Sequence, residues 1–432
     1  MNERIFKAYD IRGIYPLEIN DEVAAEVARG CSALFPGGKM IVGRDVRIGS
    51  SELAQAIVKN LLLNPKYEVI DVGICSTPLF YFAVNALGAA GGIMVTASHN
   101  PPEWNGFKVV GPKAVMIGGD AVKEAIRNAG PAGQGGGRYE KREMVEEYVS
   151  FYKQQFNVRK PLRVVCDFGN GATGRICSAL VPVFENITFS FLNDVPDGRF
   201  PSRGPNPLIP GALDGLKKEV VKTGAELGVA FDADGDRAFF VDGHGDEIPY
   251  YVVAFLLAEQ GKERLVAEVQ TFHVLKHIGY KGELYESRVG TRFMKEKMKD
   301  VDADIGAEYS GHYYFREFFD TDSGIFAFMR LLQIISGLPS SFQEFLERIP
   351  RRETTQWDVR VEDPAESIRK ISSIYEGKNE LQKDTTDGVV FASRDWLFGM
   401  RPSNTEPLLR FWAGADSRET LEKLVREIQS NF

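Results

Sequence analysis

Short apolar runs, each followed by a segment with helical spacing, recur along this chain. Met40-Ile41-Val42 precedes Ser51-Glu52-Leu53-Ala54-Gln55-Ala56-Ile57-Val58, Leu162-Arg163-Val164-Val165 precedes Gly174-Arg175-Ile176-Cys177, and Leu265-Val266-Ala267-Glu268-Val269 precedes His273-Val274-Leu275. Near-continuous apolar runs read as strands covered on both faces, and their alternation with helices predicts α/β domains with largely buried sheets. After Arg351-Arg352 the pattern changes to strand-rich segments and a closing amphipathic helix around Thr420-Leu421-Glu422-Lys423-Leu424-Val425-Arg426-Glu427-Ile428, which predicts a smaller α+β domain. The tract Gly130-Pro131-Ala132-Gly133-Gln134-Gly135-Gly136-Gly137 reads as a linker near a first boundary.

Two apolar runs stop abruptly in polar loops, and these loops carry the chemistry. The first, Gly91-Gly92-Ile93-Met94-Val95, breaks into Thr96-Ala97-Ser98-His99-Asn100-Pro101-Pro102. Neither proline donates to a ladder and Pro102 restricts Pro101, so the strand ends in a rigid loop. Ser98, with His99 beside it and Lys108 downstream, has the parts of an activated nucleophile or a phosphate acceptor. A nucleophile elbow needs glycines two residues either side of the serine, where Thr96 and Asn100 stand, so acyl transfer is disfavoured.

The second run, Leu227-Gly228-Val229-Ala230-Phe231, ends in Asp232-Ala233-Asp234-Gly235-Asp236-Arg237. Three carboxylates at alternate positions repel one another unless a cation neutralises them, and oxygen ligands without Cys or His favour Mg²⁺. An EF-hand beginning at Asp232 needs Gly and Glu where Arg237 and Gly243 stand, so that reading fails. A haloacid-dehalogenase-like phosphatase, with Asp232 as nucleophile and Asp234 as acid, is the runner-up, although Asp236 replaces the small residue it expects. A third loop, Arg401-Pro402-Ser403-Asn404-Thr405-Glu406-Pro407, offers a guanidinium fork and neutral donors, the means of holding a phosphate that must later be released.

Composition narrows the partners. The 432 residues fit about three domains, or four small ones, and the net charge of -8 argues against a nucleic-acid footprint. No stretch approaches the roughly 20 apolar residues that span a bilayer, and the start Met1-Asn2-Glu3-Arg4 is no secretory signal. Cys31, Cys75, Cys166 and Cys177 lack metal spacing and read as reduced core thiols of a cytoplasmic protein. The expected partner is a small anionic molecule, with no nucleic acid and no membrane.

Gly169-Asn170-Gly171-Ala172-Thr173-Gly174 satisfies the dinucleotide fingerprint formally, with Asp194 about twenty residues on. A dinucleotide-dependent oxidoreductase is therefore a reading from another class. Asp167 just ahead of the first glycine would oppose a pyrophosphate, so a tight turn with close helix packing is the favoured reading.

Together the three loops resemble the α-D-phosphohexomutases, most closely the phosphomannomutase/phosphoglucomutase branch. The matching segments are Ala8-Tyr9-Asp10-Ile11-Arg12-Gly13, Thr96-Ala97-Ser98-His99-Asn100-Pro101, Asp232 to Arg237, Glu308-Tyr309-Ser310-Gly311-His312 and Arg401 to Thr405, in the family's order. The resemblance implies three related α/β domains with mixed sheets and a smaller α+β C-terminal domain around a central cleft. The expected limits are 1–137 with the phosphoserine loop, 138–243 with the metal loop, 244–350 with the sugar loop and 351–432 with the phosphate loop.

It also implies reversible phosphoryl transfer between the 1- and 6-positions of hexose phosphates, mannose or glucose. Ser98 would carry the phosphoryl group, with Mg²⁺ on Ser98, Asp232, Asp234 and Asp236, and a hexose 1,6-bisphosphate as intermediate and activator. His99, Lys108, Arg12, Arg237 and His312 take catalytic roles, with Lys108 and His312 the candidates for proton transfer. Tyr9, Arg288, Gly290, Glu308, Ser310, Arg401, Ser403, Asn404 and Thr405 take substrate-binding roles, in an enzyme expected as monomer or dimer. Thr291 stands where this branch commonly has His, so a substrate contact is expected to differ, and a phosphoglucosamine-type mutase is the rival within the family.

Overall fold

The computed structural model describes residues 2–131, 133–259, 262–378, 381–402 and 408–431. The chain divides into two compact units, Met1–Pro249 with Ser310–Gln343 and Tyr250–Tyr309 with Glu344–Phe432. The chain therefore leaves the first unit at residue 249 and returns to it at Ser310, inside the segment expected as a single third domain.

In the first unit, the apolar runs become the central strands of two mixed sheets. One runs Ile11–Ile14, Trp104–Val110, Gly91–Val95, Gly38–Arg44, Tyr67–Ile74 and Arg138–Lys141. Gly38–Arg44 pairs in parallel with both neighbours, whereas Trp104–Val110 is antiparallel to Gly91–Val95 because a short loop, not a helix, joins them. That short loop holds Ser98. The Gly/Pro-rich tract does not end this sheet, since Arg138–Lys141 beyond it pairs with Tyr67–Ile74.

The second sheet runs Glu247–Ile248, Ala238–Asp242, Leu227–Phe231, Leu162–Asp167 and Ile187–Leu192. Leu227–Phe231 is parallel to Leu162–Asp167 and antiparallel to Ala238–Asp242, so the aspartate triplet occupies a tight connection at a strand end. The helix Gly324–Gly337 returns to this unit largely buried, as its mostly apolar sequence dictates.

In the second unit, Leu284–Ser287, Leu265–Glu268 and Ile305–Ala307 form a parallel set. The expected strand over 265–269 stops one residue early because Glu268 caps the helix Val269–His277, accepting hydrogen bonds from the amides of Gln270 and Thr271. The C-terminal sheet is antiparallel, running Glu353–Arg360, Leu408–Ala415, Trp396–Pro402, Val389–Ala392 and Gln382–Asp384. The closing amphipathic segment forms Arg418–Gln429, capped by Ser417, and buries Leu421, Leu424 and Ile428. Among the described residues, no helix is long and apolar enough to cross a membrane.

Candidate active site

Ser98 has φ of 50°, a left-handed conformation that a serine adopts only under constraint. The constraint is Arg47, a buried residue whose guanidinium donates to the carbonyls of Ser98 and Asn100, both at 2.6 Å, Pro101 at 2.7 Å and Trp104 at 3.0 Å. The Thr96 hydroxyl accepts from the Ser98 amide at 2.9 Å. Arg12 adds a second clamp, donating to Asn100 Oδ1 at 2.6 Å and to the Ala97 carbonyl at 3.2 Å. The loop is rigid because two guanidiniums satisfy its carbonyls, a cause beyond the prolines alone.

The Ser98 hydroxyl thus held donates to Asp232 Oδ2 at 3.1 Å and lies 3.4 Å from His99 Nδ1. Burial first, then the charges of Arg237 and Arg12, holds His99 well below its usual range, so the imidazole is neutral near pH 7. The Asp232 loop is ordered by its own amides: Asp232 Oδ1 accepts from Gly235 at 3.1 Å and Arg237 at 3.2 Å. Gly235 has φ of 74°, which a β-carbon would disfavour.

Asp232, Asp234 and Asp236 are all buried, and one oxygen from each lies within 4.8 Å of the others. Lys108 Nζ reaches Asp234 at 2.7 Å and Asp236 at 2.5 Å. Burial would lower that ammonium, but the two carboxylates outweigh it and hold it well above its usual range. Burial, then the charges of Asp236 and Asp234, pushes Asp232 well above the carboxylate range. Asp236 goes well below it, because Lys108, His312 and Arg237 outweigh its burial. Asp234 Oδ1 is buried without a hydrogen-bond partner, and the donor set is oxygen only, so these residues fit a hard divalent cation.

His312 arrives on the returning segment. Its Nε2 lies 3.3 Å from Arg237 Nε and 3.5 Å from Asp236 Oδ1, while the Ser310 hydroxyl meets Nδ1 at 2.9 Å. The first unit thus gathers Ser98, His99, Lys108, Arg12, the three aspartates, Arg237, Ser310 and His312. Tyr9 is half-buried in the same unit.

The remaining candidates are in the second unit. Glu308 is buried and accepts from the Gly290 amide at 2.8 Å, which ties two expected sugar contacts together. Arg288 is exposed with its guanidinium 4.3 Å over the Phe293 ring, and Thr291 opens the helix Thr291–Asp300. Arg401 is partly buried on Trp396–Pro402, while Ser403, Asn404 and Thr405 lie outside the described residues.

Two residues of the site are not apparent from the sequence. Arg47 acts on carbonyls, which no spacing reveals. Thr77 donates its hydroxyl to Asp234 Oδ2 at 2.5 Å and its amide to the Asp234 carbonyl at 2.8 Å. The glycine fingerprint has its structural meaning here. A β-carbon on Gly171 would lie 2.5 Å from the Ala233 carbonyl and one on Gly174 would lie 2.7 Å from the Asp194 carbonyl. Asp167 is engaged by Arg203 at 2.9 Å. The motif packs against the aspartate loop.

Four family models match in sequence order: phosphoglucomutase/phosphomannomutase alpha/beta/alpha domains I, II and III over residues 3–131, 146–245 and 244–352, and the C-terminal domain over 358–430. The chain belongs to the phosphoglucomutase/phosphomannomutase family. Its activity class is accordingly that of a phosphohexomutase, and its architecture is three α/β domains followed by the C-terminal domain. The phosphohexose mutases of Xanthomonas campestris pv. campestris (strain ATCC 33913) are 36% identical over 425 residues, spanning 94% of this chain and 93% of theirs. A phosphomannomutase of Escherichia coli strain K12 is 33% identical over 429 residues, with 94% and 93% covered. A solved phosphoglucomutase/phosphomannomutase family protein of Burkholderia thailandensis superposes with a TM-score of 0.88 at 27% identity, covering 100% of this chain and 97% of its own.

Proposed function

We propose that this phosphohexomutase moves a phosphoryl group between the 1- and 6-positions of mannose or glucose phosphates, with Ser98 as the carrier. The observation that carries the proposal is the Ser98 hydroxyl, constrained at φ 50° and 3.1 Å from Asp232. A hydroxyl fixed against a carboxylate cluster suits in-line phosphoryl transfer, which depends on placement and charge neutralisation.

In the proposed reaction a sugar hydroxyl attacks the phosphorus carried on Ser98. The bond to Ser98 Oγ breaks as the bond to the sugar oxygen forms, and the hydroxyl proton passes to the protein. The resulting hexose 1,6-bisphosphate turns over and returns its other phosphoryl group to Ser98. Mg²⁺ held by Ser98, Asp232, Asp234 and Asp236 would supply charge neutralisation at the transferring phosphoryl group. Arg237, beside Asp232 and Asp236, and Arg12, which feels the charges of Asp234 and Asp236, add positive charge near the triplet. His312 suits the proton shuttle better than Lys108, because two carboxylates hold the Lys108 proton in place.

Glu308, Ser310, Tyr9, Arg288 and Gly290 are proposed to grip the sugar and Arg401, Ser403, Asn404 and Thr405 its stationary phosphate. The division 1–137, 138–243, 244–350 and 351–432 is proposed as the division of labour among these loops. A cytoplasmic setting accords with Cys31, Cys75, Cys166 and Cys177, all buried and unbridged.

Coupled assays with the 1-phosphates of glucose, mannose, glucosamine and N-acetylglucosamine test the substrate. Isomer product from glucose and mannose is expected; release of inorganic phosphate without isomer would establish a phosphatase instead. Peptide mapping tests the carrier: phosphate on Ser98 is expected, and full activity of Ser98→Ala would end the proposal.

A further inference from the structure

A second cluster of metal-ligating side chains lies wholly within the second unit. His273 on the helix Val269–His277, Glu286 on Leu284–Ser287 and Asp384 at the end of Gln382–Asp384 converge, each presenting one ligand atom within 4.8 Å of the others. Their side chains are only 11%, 15% and 25% exposed. His273 Nε2 lies 3.4 Å from Glu286 Oε1 and 3.4 Å from Asp384 Oδ2.

Those separations are long for hydrogen bonds, and both His273 Nε2 and Glu286 Oε1 are buried with no hydrogen-bond partner. They match something else. Ligands bound tetrahedrally at about 2.0–2.1 Å stand about 3.3–3.4 Å apart along each edge. The outer oxygens are also fixed by one residue: Thr386 donates its amide to Asp384 Oδ1 at 2.7 Å and its hydroxyl to Glu286 Oε2 at 3.2 Å. That leaves the inner oxygens turned toward the imidazole, as carboxylate ligands are oriented around a metal.

We propose that His273, Glu286 and Asp384 form a binding site for a divalent transition ion, zinc being the best fit, with water at the fourth position. A neutral imidazole and two carboxylates carry a charge of about -2, which a divalent cation balances. The donor set differs from the oxygen-only triplet at Asp232, so the two sites prefer different metals. Zinc here joins Asp384 to the helix and strand that carry His273 and Glu286. The neighbouring Asp387 accepts from the Val289 amide at 3.1 Å, so the same turn braces the segment ahead of Thr291. The site does not depend on the phosphohexomutase reading.

The test is calorimetric titration of the full chain with Zn²⁺ alone, in excess Mg²⁺ and again in an Asp234→Ala background that disables the triplet. One zinc per chain is expected in both, with a raised melting temperature and with tetrahedral d–d bands when Co²⁺ replaces zinc. His273→Ala and Asp384→Asn should each weaken binding at least tenfold. Because Asp384→Asn keeps the side-chain shape, its loss of zinc with an unchanged melting temperature of the metal-free protein separates ligation from misfolding. Absence of zinc binding, or equal affinity in both variants, overturns the proposal and leaves a histidine–carboxylate ion-pair cluster.

Discussion

At the scale of single residues, Arg47 shows how much of the Ser98 loop depends on one buried side chain. It serves the carbonyls of Ser98, Asn100, Pro101 and Trp104, and it also pairs with Asp45 at 3.3 Å, both side chains being fully buried. Arg47→Ala removes every one of these bonds and leaves Asp45 as an uncompensated buried carboxylate, a loss of about 3–5 kcal/mol. Arg47→Lys is expected to recover little, because one ammonium cannot reproduce a planar fork aimed at several carbonyls. Urea unfolding and turnover measured on both variants check this; wild-type turnover in Arg47→Lys would refute it.

Glu268 gives a pH dependence. Burial, against hydrogen bonds from Thr271 and Gln270, raises its carboxyl from 4.5 to about 7. The native state therefore keeps a proton that the unfolded chain has released, so this group's contribution is complete below about pH 4.5 and is lost as the pH rises to about 7, roughly 3 kcal/mol in all. Glu268→Gln cannot titrate, and its stability should fall less than that of the wild type between about pH 5 and about pH 8. Parallel slopes in urea titrations at those two pH values would contradict the assignment.

At the scale of elements, legibility followed contiguity. Ser98 with His99, and Asp232 to Arg237, stand out in the sequence because each group occupies neighbouring positions at the end of an apolar strand. Arg47 and Thr77 were not readable, because what they hold is a backbone or carboxylate brought near only by folding. The glycine fingerprint shows the converse, a motif legible in form whose purpose is packing. Ala172 donates to the Ala233 carbonyl at 2.8 Å, and Gly171 leaves no space for a β-carbon beside that same carbonyl. Gly171→Ala should therefore displace the aspartate loop, lower stability by about 1–3 kcal/mol and weaken Mg²⁺ binding. Thermal melts with and without Mg²⁺ measure both effects. An unchanged Mg²⁺-dependent shift would show that the fingerprint does not support the loop.

At the scale of the whole molecule, periodicity cannot report that a chain leaves a unit and comes back. The segment Ser310–Gln343 carries apolar residues like any other, yet it groups with the first unit, and many of its aromatic contacts are there. Phe328 meets Phe231 edge-on at 6.2 Å, Phe326 meets Phe156 at 4.7 Å, and Phe319 stacks on Phe151 at 5.9 Å. The same segment braces the aspartate loop, since the Ala238 amide donates to the Gly311 carbonyl at 3.0 Å and the Gly324 amide to the Gly235 carbonyl at 3.2 Å. A fragment of residues 1–249 would contain Ser98 and all three aspartates but would leave these aromatic faces in water and the loop unbraced. Buried aromatics dominate core energetics, so the fragment should melt without cooperativity, lose near-ultraviolet circular dichroism and bind hydrophobic dyes. Joining residues 310–343 to it through a flexible linker should restore a cooperative melt and Mg²⁺-dependent stabilisation together, because one segment provides both the missing core and the support beneath Asp232 to Arg237. A cooperative melt from residues 1–249 alone would show that the returning segment is an accessory to the first unit.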